Sequence, residues 1–371
     1  MRQRWLRGRE QRGKVAPNPV SQTYRPALWT DHLRTALLAG LGGFLLHLAA
    51  LPLAWMIGAM LATAWLASRR AAAVPQLARP LALVVLGLAL GQAFTGPVMQ
   101  AVAGALPAMF VAGTLSILAG AAAAPLFRAI ARTDAKTAYF SAVPGGIMVM
   151  AVLAQRAGAQ VAPVTIAQTL RMAAVVLTFP PVLAIVAPHA DTAAFQAGQV
   201  AANFPGLALL LAGGGLAGLV SARLGLVNAA MLAPLLLAML LSATGQLPSG
   251  VPRWLVDIAQ VAMGASLGLR LTPEQLGKGP RRLFLAGIAS ALTIILLLAA
   301  MGLCLGWVSG LPPAAVVLGM APGGMPEMTI TAKALDLAVP LVLGFHLVRT
   351  VLCNLLVGPI WRGVRAAGLG R

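Results

Sequence analysis

The sequence predicts an all-α integral membrane protein of about ten transmembrane helices, a 5+5 inverted repeat with two Pro-Gly-Gly re-entrant or broken helices. Three observations predict it. Of 371 residues, 59% are hydrophobic and only 9% charged, whereas a soluble domain carries about 25% charged residues. Apolar runs long enough to cross a ~30 Å hydrocarbon core recur along the chain. A short signature also occurs twice: Pro144-Gly145-Gly146 followed by Met150, and Pro322-Gly323-Gly324 followed by Met328. Each copy is trailed at the same spacing by an arginine inside an apolar run, Arg171 and Arg349. The step from Pro144 to Pro322 equals that from Arg171 to Arg349, so the copies are in register.

In chain order, residues 1–32 read as a basic cytoplasmic tail, 33–187 as a first membrane repeat and 200–362 as a second. Candidate spans fall at 33–50, 52–67, 78–95, 101–124 and 162–187, then at 200–221, 228–244, 254–270, 282–308 and 340–361. The signatures lie in two further segments, 137–158 and 313–335, which hydropathy leaves open as full crossings or re-entrant hairpins. A β-barrel would instead show alternating segments of ~10 residues.

Charge discriminates between these arrangements. Net charge is +19, from 27 Lys and Arg against 8 Asp and Glu, and such an excess marks cytoplasmic loops. With the tail inside and both signature segments re-entrant, 23 basic residues lie inside. Only Arg253 and Lys333 then fall outside, with Arg171 and Arg349 within spans. Full crossings would leave 18 inside and 7 outside, including Arg270, Lys278, Arg281 and Arg282. The positive-inside rule favours re-entry. Five spans per half is an odd number, so the second half enters the membrane inverted. Supporting parallels are Gly87 and Gly91 with Gly264 and Gly268, and Pro181 with Pro359. Inverted repeats are a usual frame of secondary transporters, with the solute site at the repeat interface near the midplane.

The glycines Gly145, Gly146, Gly323 and Gly324 permit a sharp turn at membrane depth, after which a half-helix begins with free N–H groups and a positive dipole end. That end suits an anion or carboxylate; a plain kink or close helix contact is the structural alternative. Pro326 and Glu327 fit the first turn of such a half-helix. Glu327 has Val149 as its counterpart, so it reads either as an asymmetric coupling residue or as a partner for Arg349. Arg171 and Arg349 sit roughly 15 Å along their helices, where a charge requires pairing or hydration. Gln168 and His346 precede them by three residues on the same faces. The functional reading is an anion clamp, or a gate paired with Glu327; the structural reading is an ion pair between helices.

Other chemistries lack a basis in the sequence. Cys304 and Cys353 lie in apolar runs, and the four histidines show no ligand spacing, so no metal site, cofactor or disulfide is expected. The tail lacks the fold and aromatic interleaving of a nucleic-acid reader, so no direct nucleic-acid partner is expected. No cleavable signal peptide is expected either.

With its motifs in place, the chain resembles the membrane AbrB family of duplicated bacterial inner-membrane proteins. The resemblance rests on Pro144-Gly145-Gly146…Met150 with Arg171, Pro322-Gly323-Gly324…Glu327-Met328 with Arg349, and Pro52…Trp55…Gly58, over about residues 35–365. That family often carries Glu before the methionine in both copies, whereas here Val149 stands in the first. Its members carry labels as regulators of gene expression and as ammonia monooxygenases; this chain has no copper-ligand cluster and no DNA-binding fold. The architecture is similar to inverted-repeat antiporters and bile-acid-type symporters, an analogy of fold alone.

The resulting expectation is a secondary transporter of a small anionic solute, working by alternating access. Gly145, Gly146, Gly323, Gly324, Arg171 and Arg349 would bind solute, and Glu327 and His346 would couple transport to a proton or sodium ion. It is placed in the bacterial inner membrane, multi-pass, with both termini cytoplasmic. The alternative is a membrane-embedded regulator that affects gene expression directly or indirectly. An enzyme is not expected.

Overall fold

A computed structural model describes residues 29–186, 200–226, 228–271 and 280–366. Every regular element among the described residues is a helix. The first half contains α1 (Trp29–Leu48), α2 (Ala54–Arg69), α3 (Ala78–Gly91), α4 (Gly96–Gly104), α5 (Leu106–Ala131), α6 (Ala135–Ala142), α7 (Ile147–Arg156) and α8 (Val161–Val186). The second contains α9 (Phe204–Arg223), α10 (Ala229–Ala243), α11 (Arg253–Gly268), α12 (Arg281–Ser309), α13 (Pro313–Met320), α14 (Met325–Ala334) and α15 (Val339–Ala366). A 3₁₀ turn, Leu269–Leu271, extends α11. Most of the basic tail lies outside the described residues, and α1 begins at Trp29, inside the stretch assigned to that tail.

Among the described residues, α5, α8, α9, α12 and α15 are each long and apolar enough to cross a membrane. The bent pair α3 and α4 would make a sixth. Their outer faces expose Leu209, Leu216, Leu292, Leu296 and Leu355, which marks surfaces for hydrocarbon and a multi-pass membrane protein. The expected spans at 78–95 and 101–124 need new bounds. The chain turns by 92° between α3 and α4, and α5 starts only at Leu106. Pro97 and Pro107 each occupy a first helical turn, where a missing N–H does no harm, so each starts a new helix within an apolar run.

Two helix groups form. In one, α2 packs on α1 and α11, while α3 packs on α9, α10 and α11. Close approach there depends on glycine. A Cβ at Gly87 would lie 2.5 Å from the Met231 carbonyl oxygen on α10, and one at Gly264 would strike the Met56 carbonyl on α2. The second group holds α5, α6, α7, α8 and α12 to α15. Between them, α3 touches α14, and the 3₁₀ turn touches α8.

Helix starts and stops recur at matched positions. Left-handed residues fall at Ala50 and Leu53, and again, with the same step between them, at Gly225 and Asn228. A second set, Arg132 and Gly158, recurs at Gly310 and Asp336, which keep the register of the Pro-Gly-Gly copies. Leu53 and Asn228 both precede the first residue of a helix, α2 and α10.

Candidate functional site

Each Pro-Gly-Gly copy breaks a helix. In the first, Asp134 caps α6 by accepting from the Thr137 N–H at 2.9 Å and the Thr137 hydroxyl at 2.7 Å. Burial favours the neutral Asp134 carboxyl, but these two bonds outweigh it and hold the group below the ordinary aspartate value. The helix ends at Val143, because a residue preceding proline disfavours the helical region. Gly146 then caps α7. The Met150 side chain folds onto Gly145, so any Cβ at Gly145 would collide with it. Met328 lies against Gly323 in the same way, its Sδ 3.0 Å from where a Cβ would stand. The methionine is thus part of the signature because it packs on the turn's own glycine.

A helix end leaves carbonyls without intrahelical partners, and in a buried site something must donate to them. Gln168 and Arg171 supply α6. The Gln168 Nε2 donates to Phe140 and Val143 at 3.0 Å each and to Ser141 at 3.3 Å. Arg171 donates from Nη1 to Val143 at 3.4 Å and from Nη2 to Gly145 at 3.0 Å. His346 and Arg349 repeat this at α13. His346 Nε2 lies 3.3 Å from the Leu318 carbonyl, and Arg349 donates to Ala321 and, at 2.9 Å, to Gly323. In the register of the repeat, Leu318, Ala321 and Gly323 are the counterparts of Phe140, Val143 and Gly145. Arg349 Nη2 also lies 2.9 Å from His346 Nδ1. A guanidinium has only hydrogens to offer, so Nδ1 accepts and Nε2 carries the imidazole proton.

The two turns meet. Arg171 Nε donates across to the Pro322 carbonyl at 2.8 Å, and the Cys353 thiol donates to the Pro144 carbonyl at 3.1 Å. Along α8 the partners run from the first turn at Gln168 and Arg171 to the second at Val175, which lies against Gly323. Along α15 the order reverses, from Leu318 at His346 and Gly323 at Arg349 to Pro144 at Cys353 and Tyr139 at Val357. The base of the first broken helix is closed on itself, since the Gln160 N–H donates to the Thr137 hydroxyl at 3.0 Å.

A cavity of about 160 Å³ lies at this meeting point, between the two helix groups. Gly145, Gly146, Gly323, Gly324, Arg171, Arg349 and Glu327 line it together. His346 does not line it; fully buried, it stands behind Arg349 as that arginine's support. Arg171 and Arg349 are 3% and 8% exposed, and their bonds are to carbonyls and an imidazole. Glu327 is 3% exposed, folds back over Gly324, and its Oε2 has no hydrogen-bond partner among the described residues.

The sequence reading missed Arg79 on α3 and Arg270 on the 3₁₀ turn. Both line the cavity that Glu327 also lines. In sequence each looks like a loop charge at a span end. A usable signal was their position at the ends of the two glycine-matched helices, α3 and α11.

Long apolar helices that pack with broken ones, the breaks gathered at one polar cavity, define a multi-pass helical membrane protein with an internal cavity. The chain belongs to the AbrB family: the family model described as "Transition state regulatory protein AbrB" matches residues 16–365. It is 26% identical over 363 residues to the Bacillus subtilis (strain 168) protein named "Uncharacterized protein YhjN", covering 88% of this chain and 91% of that relative. It is 25% identical over 335 residues to the Escherichia coli (strain K12) protein named "Putative regulator AbrB", covering 87% of this chain and 92% of that relative.

Proposed function

We propose that this chain is a secondary transporter of a small anionic solute, built as a ten-helix 5+5 inverted repeat and working by alternating access in the bacterial inner membrane. The observation that carries the reading is the meeting of two helix breaks at a cavity between two helix groups. Irregular backbone at membrane depth is tolerated where it is buried in protein or lines such a cavity. Inversion is supported by the opposite order in which α8 and α15 pass the two turns. Re-entry of the first hairpin is supported by the Gln160–Thr137 bond, which brings both its ends to one level.

The N-terminal ends of α7 and α14 face the solute, and Arg171 and Arg349 add positive potential behind them. The cavity runs from the turns to Arg79 and Arg270. In this topology those residues stand at cytoplasmic helix ends, which supports reading this form as inward-facing. The group of α1 to α3 and α9 to α11 and the group containing the breaks are the bodies that rock.

Flux tests this. Purified full-length chain in proteoliposomes is expected to accumulate one of a panel of labelled small anions under a proton or sodium gradient. No uptake of any solute under either gradient overturns the reading. Single cysteines in a background without Cys304 and Cys353 test the topology. Gly310→Cys is expected to label from outside intact cells and Thr133→Cys only after permeabilisation; the reverse pattern, or equal labelling, overturns the inverted arrangement.

A further inference from the structure

Among the described residues, four arginines and one carboxylate line the cavity: Arg79, Arg171, Arg270 and Arg349 against Glu327. The arginines differ in what they can still offer. Arg171 and Arg349 are bound to the carbonyls of the broken helices and cannot leave without orphaning them. Arg79 and Arg270 hydrogen-bond to no described residue, are half-buried, and come from the opposite helix group. Among the described residues they are the cavity's guanidiniums without a hydrogen bond, and guanidinium is the group whose fork matches a carboxylate.

The cavity already contains a carboxylate. Glu327 stands at the third position of α14, buried, with Oε2 unpartnered among the described residues, and Arg79 and Arg270 line the same cavity. Among the described residues the titratable groups around it are few. Arg79 comes from α3, Arg270 from the 3₁₀ turn, Arg171 from α8, and Arg349, His346 and Cys353 from α15, while α13 contributes none.

We propose that Arg79 and Arg270 are the carboxylate-holding pair of the site, and that Glu327 is the internal anion a bound monocarboxylate displaces, taking up one proton as it gives way. The charges balance. One solute carboxylate enters with charge −1, one proton joins the Glu327 carboxylate to form the neutral acid, and the cavity's net charge is unchanged. No covalent bond within the solute forms or breaks. A buried site that already holds more positive than negative charge loses the Glu327 anion only when another anion replaces it. Proton and solute are therefore taken together, one to one. A cavity of about 160 Å³ is comparable to the apolar cavity of about 150 Å³ that admits benzene, which leaves room for a short-chain acid such as lactate or pyruvate.

The inference rests on the transport reading, and the experiments separate the two. Detergent-purified wild-type chain in weak buffer with a pH indicator is titrated with lactate and with pyruvate. One proton taken up per acid bound is expected; binding with no proton uptake, or no binding of either acid, overturns the inference. In proteoliposomes, Glu327→Gln is expected to abolish accumulation driven by a pH gradient while lactate or pyruvate counterflow persists, and Glu327→Asp to keep coupling. Arg79→Gln and Arg270→Gln are each expected to raise KM tenfold or more. Retained pH-driven accumulation in Glu327→Gln, or unchanged KM in both arginine variants, overturns the inference and leaves transport standing. Wild-type flux only of a solute without a carboxylate does the same. Absence of all flux removes the transport reading itself.

Discussion

The Arg171 Nε–H reaches the carbonyl of Pro322, far along the chain in the second half, at 2.8 Å. The anchor of the first broken helix therefore also holds the turn of the second. The relation is not reciprocal: Pro144, the counterpart of Pro322, accepts from the Cys353 thiol instead. The two turns are duplicated in their own carbonyl bonds and unequal in how they hold each other.

Arg171→Met removes donors from Val143, Gly145 and Pro322 at once. Each buried carbonyl left without a partner costs about 1–3 kcal/mol. A marked fall in melting temperature is expected, followed by tryptophan fluorescence in detergent. Arg171→Lys, a single point donor in place of a planar fork, should fall between the two. An Arg171→Met variant as stable as the parent would show that the turns are held elsewhere.

Gln168 and His346 make the same bond at matched positions, to Phe140 and to Leu318. Gln168→His keeps a donor there and is expected to stay within about 1 kcal/mol of the parent. Gln168→Leu leaves Phe140, Ser141 and Val143 short of a donor and should be clearly less stable, by about 1–3 kcal/mol or more. Equal melting curves for the two variants would contradict the carbonyl-supply role.

The Asp134–Thr137–Gln160 chain clasps the base of the first hairpin. Folding holds the Asp134 carboxyl below its ordinary value, against the effect of burial, through its bonds from Thr137. Its contribution is thus fully present above the unfolded value of about 3.9 and is lost as pH falls through the lower folded one. The stability gap between parent and Asp134→Asn is expected to be constant from pH 7 to 5 and to shrink below about 4. A gap that does not close in acid would assign it to something other than ionisation. Thr137→Val should open the clasp at every pH.

Parts of this arrangement were legible because they repeat. The Pro-Gly-Gly copies and their arginines stand in register, the glycine pairs on α3 and α11 recur at a step one residue shorter, and the arginines and glycine pairs mark real close contacts. The role of the arginines was not legible in the same way. An arginine within an apolar run suggests an anion, and its true partners, the carbonyls of an interrupted neighbour, become visible only when that neighbour's end is placed beside it. Arg79 and Arg270 were hidden for a different reason. Hydropathy classifies a residue by its sequence neighbours, whereas a long side chain at a helix end belongs to whatever cavity it reaches. The bend before α4 was masked because Pro97 and Pro107 start helices as readily as they break them.

The crossing of α2 with α11, and of α3 with α10, joins a first-half helix to a second-half helix each time, and both crossings depend on glycine. At Gly264 a Cβ would meet the Met56 carbonyl, and at Gly268 the Met60 carbonyl, both backbone atoms on a packed helix that cannot turn away. Gly215 on α9 provides the control, because a Cβ there meets nothing within 4 Å. Alanine favours a helix over glycine by about 1 kcal/mol, so Gly215→Ala is expected to be neutral or stabilising. Gly264→Ala carries the same propensity gain, but it forces two helices apart, and overpacking of a tight contact costs typically about 1–3 kcal/mol. Melting temperatures should therefore move in opposite directions for the same chemical change. If Gly264→Ala melts with or above Gly215→Ala, the two halves are not held together at these glycines.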